Sequence, residues 1–583
     1  METTTLVYQY GIVPTADFPR AGIESMFQAN KLWNNLVALH NDSRVKLEDA
    51  RCEADDEYLL IRQSIDLADQ EVEAAYTAKR EARAEACTKD ASHPLIKAAN
   101  EVIAGAKAER SKLYAAAKDA RKRADERVDK KALSKAFNDA VNAAQRVENT
   151  GGMGSTTANA VADYFKTARD KAFKDGARLN FHRFDGTGYL SFRFSEAGKN
   201  TDGVTFDWLK GDDNDGRAFV LTGVTDHHKK PKLHLKVKVA GGKTNASKVY
   251  AYFDVVMHRP IPEGAQVQNA KILRRRVGDK FSYFVDFTLR VAAPIVQPIT
   301  RDALGVDIGF RQQEDGGIKV AAFGGTHPMD GHDDVTLPAD YVESIKYVDQ
   351  LKGDLDDSAE LLGKQIRPLL KAGNVLPEDH RLFKLVKSVA NLPAFVTLSF
   401  EKAYKLAKVI RMEPESLPAD VELALTHWFV SNVRKYREMH HLRVKLLSRR
   451  KHLYRNVAAE LVKARRPIGI EKINLSIFAE TKDRDNKLGN TARSNRFLAS
   501  PSELLGAIKN AAMREGLQLV EVGAAYTSKT CSACGTVNKE LKAESEWICG
   551  GCGVVHDRDE NASVNIARRA LDKLGVEPLK LAA

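Results

Sequence analysis

Two CxxC pairs, CSAC (Cys531 to Cys534) and CGGC (Cys549 to Cys552), are followed almost at once by HDRDENASVNIA (His556 to Ala567). Four thiolates in this pattern satisfy tetrahedral Zn²⁺ with no open coordination position, which predicts a structural ion in a zinc ribbon held by Cys531, Cys534, Cys549 and Cys552. His556 lies just past the last cysteine and, with four thiols available, reads as an ordinary polar residue. Asp559 then stands two residues ahead of Asn561 and opens an amphipathic helix through Ala562, Val564, Ile566 and Ala567. An acid there is either a metal ligand or a plain N-cap, and Asp557 competes with it for the ligand role. Two further acids end short apolar runs upstream. In ALGVDIGF, Asp307 points away from Val306 and Ile308; in RPIGIEKINL, Glu471 points away from Ile468 and Ile470.

The chemistry that needs three such acids is phosphodiester hydrolysis. One metal lowers the pKa of an attacking water and a second, ~4 Å away, stabilises the leaving oxygen. Hard divalent cations take oxygen ligands, and Mg²⁺ keeps several waters, so two or three carboxylates suffice. Asp307 is expected to bridge both ions, with Glu471 and Asp559 each completing one shell. The order strand acid, strand acid, zinc ribbon, helix acid points to a metal-dependent nuclease.

The elements that must position these groups are legible in outline. With 583 residues the chain exceeds one core and should divide into roughly three to five units. Its formal net charge of +12 suits a polyanionic partner. Six cysteines, of which Cys52 and Cys87 stand outside the paired knuckles, give no disulfide framework and indicate a reducing compartment. METTTLVYQYGIV has no basic start with a long apolar run, and no stretch reaches the ~18 apolar residues of a membrane span, so a soluble intracellular protein is expected.

A strand near Leu6 to Tyr10 precedes a helical pattern from Ala21 to Leu47. From Val45 to Val147 the composition reads as long charged helices in a hairpin breaking near Ser92 to Pro94. That hairpin is either a solvated spacer or a lobe gripping a duplex backbone. TGGMGS (Thr150 to Ser155) marks a boundary, Thr157 to Phe173 a further helix, and an all-β block then runs from about Asn180 to Ala293. In LHLKVKV, Leu233, Leu235, Val237 and Val239 form a core face, with His234, Lys236 and Lys238 opposite. On a small barrel such a basic face, with Arg274, Arg275 and Arg276, either holds an RNA backbone or is merely solvated. THPMDGHDD (Thr326 to Asp334) reads as a solvated loop. Between the first two acids lies a helical insertion whose end, Arg434 to Arg466, has twelve Lys or Arg against Glu438 and Glu460. This excess predicts phosphates along the helix, with Arg449, Arg450 and Lys451 as contacts. Arg493 and Arg496 either meet a nucleic-acid strand or fix a loop.

GVDIGF, GIEKINLS, the TSKTCSACG to CGGC segment and HDRDENASVNIA together resemble the split RuvC domain and zinc-ribbon insert of TnpB and of the type V CRISPR effectors derived from it. FHRFDGTGYLSFRF (Phe181 to Phe194) and MHRPIP (Met257 to Pro262) are similar to wedge segments of compact effectors, and the charged helices resemble their recognition lobe. Size and these segments are most similar to subtype V-M. The resemblance implies a multidomain α+β fold with a helical recognition lobe, a β-barrel wedge domain and an RNase H-like (RuvC) α/β domain split by a helical insertion and a zinc ribbon. The implied boundaries are 1–20 for the first wedge strand, 21–178 for the recognition lobe, 179–298 for the wedge, and 299–340, 467–525 and 556–583 for RuvC, with the insertion at 341–466 and the ribbon at 526–555. It also implies a guide RNA, double-stranded target DNA next to a short flanking motif, Mg²⁺ in the RuvC site, structural Zn²⁺ and a prokaryotic cytoplasm; a monomer is favoured, with the oligomeric state left open by the sequence. Subtype V-M members are associated with silencing DNA without efficient cutting, yet all three acids stand here. Three readings follow: a guided endonuclease, a guided DNA binder that silences, and a TnpB-like transposon nuclease.

Overall fold

The computed structural model describes residues 3–577 apart from 87, 89–91, 147–152, 176, 196–202, 226–231, 242–246, 278–279, 328–331, 373–375, 378–379, 381, 393–395, 412–416, 473–489 and 543. Cys87, Thr150 to Gly152, the end of GIEKINLS and the C-terminal tail therefore lie outside the described residues. The fold mixes helices and sheets, as expected. It divides into two compact units: Thr5–Val291 with Asp356–Ser431, and Met1–Thr4 with Ala292–Leu355 and Asn432–Ala583.

The first unit begins with β1 (Thr3–Pro14) and α1 (Arg20–Ala54). The Ala-rich charged stretch forms α2 (Asp56–Glu85) and α3 (Pro94–Arg127), packed along one another. Small side chains permit this: Ala117, Ala120 and Ala124 are buried against Tyr58 and Ile65. Pro94 opens α3, where its missing N–H removes no helical bond. Arg51 is buried at the helix junction and held by Glu48 and Asp125 at 2.9 and 2.8 Å. After α4 (Lys130–Ala144) and α5 (Ser155–Asp175) the chain turns to β2 (Gly188–Arg193), β3 (Val204–Thr205), β4 (Lys210–Gly211), β5 (Phe219–Thr225), β6 (Lys232–Gly241), β7 (Lys248–Val256), β8 (Gln266–Val277) and β9 (Lys280–Ala292).

These strands form one sheet in the order β2-β8-β9-β1-β7-β6-β5-β4, with β3 on β8. Among the described residues the path ends at β2 and β4, so the ladder is a nine-stranded sheet with two ends where a barrel was expected. Leu233, Leu235, Val237 and Val239 enter its core as the alternation requires. The opposite face departs from the sequence expectation. Lys236 is only 6% exposed, bonds the Asp215 carbonyl at 3.1 Å and lies over the Tyr250 ring, while His234 meets Asp254 at 2.8 Å. Arg274 is likewise buried, on the Gly186 carbonyl and the Phe281 ring. Lys236, His234 and Arg274 are thus held by neighbouring loops, rings and an acid, while Arg275 and Arg276 stay exposed.

The second unit is built on β10 (Leu304–Gln312), β11 (Ile318–Gly325) and β12 (Asp333–Leu337). There follow α6 (Ala339–Ala372), α7 (Phe383–Ala390), α8 (Phe400–Ile410) and α9 (Ala419–Lys463), of which α7, α8, the part of α6 from Asp356 and the part of α9 up to Ser431 belong to the first unit. β13 (Ile468–Glu471), α10 (Asn490–Ala499), α11 (Pro501–Glu515), β14 (Leu519–Val522), β15 (Glu546–Ile548), β16 (Val555–Asp557) and α12 (Arg558–Lys573) complete it. The five-stranded sheet has the order β12-β11-β10-β13-β14, antiparallel up to β10 and parallel beyond it. Part of THPMDGHDD, read as a loop, is strand β12, because Asp333 to Leu337 find ladder partners on β11.

Candidate functional site

A pair of glycines determines how the acids meet. Gly305 of β10 lies opposite Gly469 of β13 in parallel register, and each precedes an acid on the same face by two residues, Asp307 and Glu471. α12 packs on that face. A side chain at Gly305 would collide with the Ser563 carbonyl oxygen, and a Cβ at Gly469 would stand 2.8 Å from the Ile566 carbonyl oxygen. Only glycine lets the helix approach this closely, and the approach brings its first turn, with Asp559, to the other two acids.

The helix start gives Asp557 and Asp559 different partners. Asp557 caps α12, accepting from the N–H groups of Asp559 and Glu560 at 2.9 and 2.8 Å. Asp559 instead lines a cleft of about 420 Å³ together with Asp307 and Glu471. Burial, and then the charges of Glu471 and Asp559, push the Asp307 carboxyl well above the usual carboxylate range, against the pull of Arg558 and Lys319. Burial also raises Glu471, opposed by its bond from Thr527 and by Arg569. A divalent cation is the natural relief for such a cluster. Among the described residues only the four cysteines have ligand atoms all within 4.8 Å of one another. The three carboxylates share one cleft.

Three cations that the sequence reading missed surround Asp559: Lys319 at 3.3 Å, Arg558 at 3.3 Å and Arg311 at 3.7 Å. Burial opposes the charge of Lys319, yet its bond to Asp334 and the field of Asp559 hold its pKa above the ordinary value. His332, from the supposed loop, meets Glu560 at 2.6 Å. Lys319 interrupting an otherwise apolar strand, IKVAAF, was the available signal.

The start of α12 is also latched to the chain before the first cysteine pair. Buried Asn561 accepts from Ser532 N at 2.7 Å and donates to the Thr530 carbonyl at 2.8 Å; Asn565 donates to the Thr527 and Thr530 carbonyls at 2.9 and 2.6 Å. The Thr527 hydroxyl donates to Glu471 at 2.5 Å. One loop thus orients the second acid and the helix bearing the third.

Cys531 and Cys552 stand 3.6 Å apart, as do Cys534 and Cys549. A tetrahedron of ~2.3 Å Zn–S bonds has edges of about 3.8 Å, so the four thiols fit Zn²⁺. His556 is not an ordinary polar residue, because its Nε2 lies 3.0 Å from Cys531 Sγ and its ring packs on Trp547, across the β15–β16 pair. It bonds the Cys531 thiol without joining the four-cysteine cluster.

The expected phosphate contacts divide. Arg450 is 9% exposed, bonded to Glu503 at 2.8 Å and to the Leu498 carbonyl at 2.6 Å, so it ties α9 to the ends of α10 and α11 and is unavailable to a phosphate. Arg449 is exposed but forked onto Asp340. Lys451 is exposed on α9, as are Arg443, Lys445 and Arg455. Arg496 is half-buried on α10; the Arg493 side chain lies outside the described residues. No helix of the described residues is long and apolar enough to cross a membrane.

A family model described as Cas12f1-like, TNB domain, matches residues 502–566. The chain is 30% identical, over 97% of its length and 88% of the relative's, to the CRISPR-associated DNA-binding protein Cas12m of Pelobacter propionicus. It is 26% identical, over 70% of its length and 68% of the relative's, to the protein of the same description from Thermanaerosceptrum fracticalcis. A solved Cas12f1–sgRNA–target DNA complex aligns with 97% of this chain and 99% of its own at 14% identity and a TM-score of 0.38.

Proposed function

Because the chain belongs to the Cas12m family, with 30% identity to a member across 97% of its length, we propose that it is a CRISPR-associated DNA-binding protein directed by a guide RNA to double-stranded DNA beside a short flanking motif. Base pairing carries the specificity and the protein holds the heteroduplex by shape and charge. The observation that supports this most is the meeting of Asp307, Glu471 and Asp559 in one cleft next to four clustered thiols, in a chain related to Cas12m over nearly its whole length.

In this reading the five-stranded unit is the RuvC domain, assembled from 299–340, 467–525 and 556–583 around the insertion 341–466, with the zinc ribbon at 526–555. Its strand order of third, second, first, fourth, fifth with a helix on the acid face supports the RNase H-like assignment. The nine-stranded sheet is the wedge, 179–298, with 1–20 supplying β1 between β9 and β7, and 21–178 is the recognition lobe. The protein acts as a cytoplasmic monomer. Exposed Lys451 contacts phosphate along α9.

Asp307, Glu471 and Asp559 would hold Mg²⁺, which would supply an activated water and positive charge at the leaving oxygen. Thr527 fixes the Glu471 carboxylate, and the glycine pair fixes α12 and with it Asp559. A second reading, guided binding that silences without efficient cutting, is favoured by the cations. Lys319, Arg311 and Arg558 neutralise Asp559 and compete with a metal for it.

The test is purification from cells carrying a matching repeat-spacer array, sequencing of bound RNA, and binding and cleavage of a matching plasmid with Mg²⁺. Guide-dependent binding is expected in wild type and Asp307→Ala alike, with hydrolysis confined to wild type. Protein free of RNA that binds DNA without regard to sequence would overturn the proposal.

A further inference from the structure

The RuvC-like unit carries a second hollow, of about 360 Å³, where α6, α9, α10 and the start of α11 meet. Its floor is apolar and buried, from Val348, Met439 and Leu498 among others. Lys352, Arg443 and Arg496 line it against a single acid, Asp349, and among the described residues none of the three cations is held in an ion pair. Phe497 also lines it and is 74% exposed.

An aromatic ring left in water forgoes the burial that a Phe side chain usually gains on folding, so packing among the described residues does not explain Phe497. Its neighbours indicate what does. A ring beside an apolar floor, with a guanidinium next to it in sequence and two more cations across the hollow, matches a nucleotide, the base on the ring and the phosphate on the cations. The volume lies at the small end of sites that hold single small molecules, about 300–1,000 Å³, and is too small for a helix of several turns. Moreover α10, which carries Arg496 and Phe497, packs against β10, the strand of Asp307.

We infer that this hollow is a nucleotide subsite: Phe497 stacks on an unpaired base of a nucleic-acid strand, and Arg443, Arg496 and Lys352 hold its phosphates. The inference rests on the guided DNA-binding reading for the identity of the strand, but not for the existence of the site.

The test uses the full-length protein in two arms. In one, guide-loaded protein binds matching DNA carrying a fluorescent purine analogue at successive positions of either strand; in the other, guide-free protein binds a single-stranded oligonucleotide carrying the same analogue. Stacking on Phe497 should quench the analogue at one position in the first arm and on average in the second. Phe497→Ala should abolish that quench and weaken the single-strand affinity roughly five- to a hundredfold, Phe497→Trp should restore both, and Arg443→Gln with Arg496→Gln should weaken affinity and flatten its salt dependence. Phe497→Ala that leaves quench and single-strand affinity unchanged overturns the inference, even where guided binding is intact. Failure of wild type to bind matching DNA with its guide overturns the functional reading instead, and the single-strand arm still decides the subsite. A helical peptide displacing the oligonucleotide without loss in Phe497→Ala would assign the hollow to a protein partner and overturn it as well.

Discussion

Asp307 holds the least favourable charge in the acid cleft, because burial and two neighbouring carboxylates all disfavour ionisation. Its folded pKa lies above the unfolded value of about 3.9, so the native state binds that proton more tightly than the unfolded chain. Stability from this group is present below the unfolded pKa and is lost as pH rises through the folded one. Without divalent ions, Asp307→Asn should therefore raise the denaturation midpoint near neutral pH and leave it unchanged under acid conditions. Added Mg²⁺ should stabilise wild type and not the variant. Equal midpoints at neutral pH would remove the charge-cluster argument. Thr527 gives a second residue-level prediction. Thr527→Val keeps the shape and deletes the bond to Glu471; removing a supporting bond to a ligand typically costs about 10–100-fold in metal affinity, readable by titration calorimetry with Mn²⁺. Asp307 and Glu471 could be picked out of the sequence because each ends an apolar run, and Asp559 because it opens an amphipathic helix. Lys319 left a faint mark as the one cation in IKVAAF, but Arg311 and Thr527 left none, since single polar residues acquire a role only from what the fold places opposite them.

At the level of elements, the seat of α12 on β10 and β13 rests on Gly305 and Gly469. Gly305→Ala should push the helix off the sheet, with a cost of about 1–3 kcal/mol typical of overpacking and a loss of divalent binding as Asp559 retreats. Thermal melting and the Mn²⁺ titration read the two effects separately, and a variant with native stability and affinity would show that the helix does not need the close approach. Asn561→Ala should leave the Ser528 carbonyl without its side-chain donor and the Ser532 N–H without its acceptor, while Asn565 still serves the Thr530 carbonyl; the cost should be about 1–3 kcal/mol, with faster amide exchange in residues 527–532. The repeated pattern glycine, apolar residue, acid in GVD and GIE is plain in the sequence. Its meaning is not, because a close helix approach has no signature within either strand.

For the molecule as a whole, zinc is an inferred part of the fold. Cys531→Ser or Cys549→Ser should release one Zn²⁺ per chain by metal analysis and loosen the ribbon, since structural zinc contributes folding free energy directly. The release should also weaken divalent binding at the acids, because β16 runs straight into α12. Along α9, Lys451→Ala with Arg455→Ala should weaken every DNA target alike and reduce the salt slope by ~0.7 to 0.9 for each phosphate no longer neutralised, whereas Arg450→Ala should lower thermal stability instead. By itself the sequence determined the local quantities: the thiol quartet, the strand and helix periodicities, the charged hairpin and the acids beside apolar runs or at a helix start, all fixed by spacing along a few residues. Tertiary structure alone decided which charges are free. Arg450 is neutralised by Glu503, Lys236 of β6 is buried against the Asp215 carbonyl and the Tyr250 ring, and Asp559 is ringed by three cations drawn from three elements. A charge is available to a ligand only when no nearer partner has claimed it, and that partner is chosen by the fold, often from a distant part of the chain.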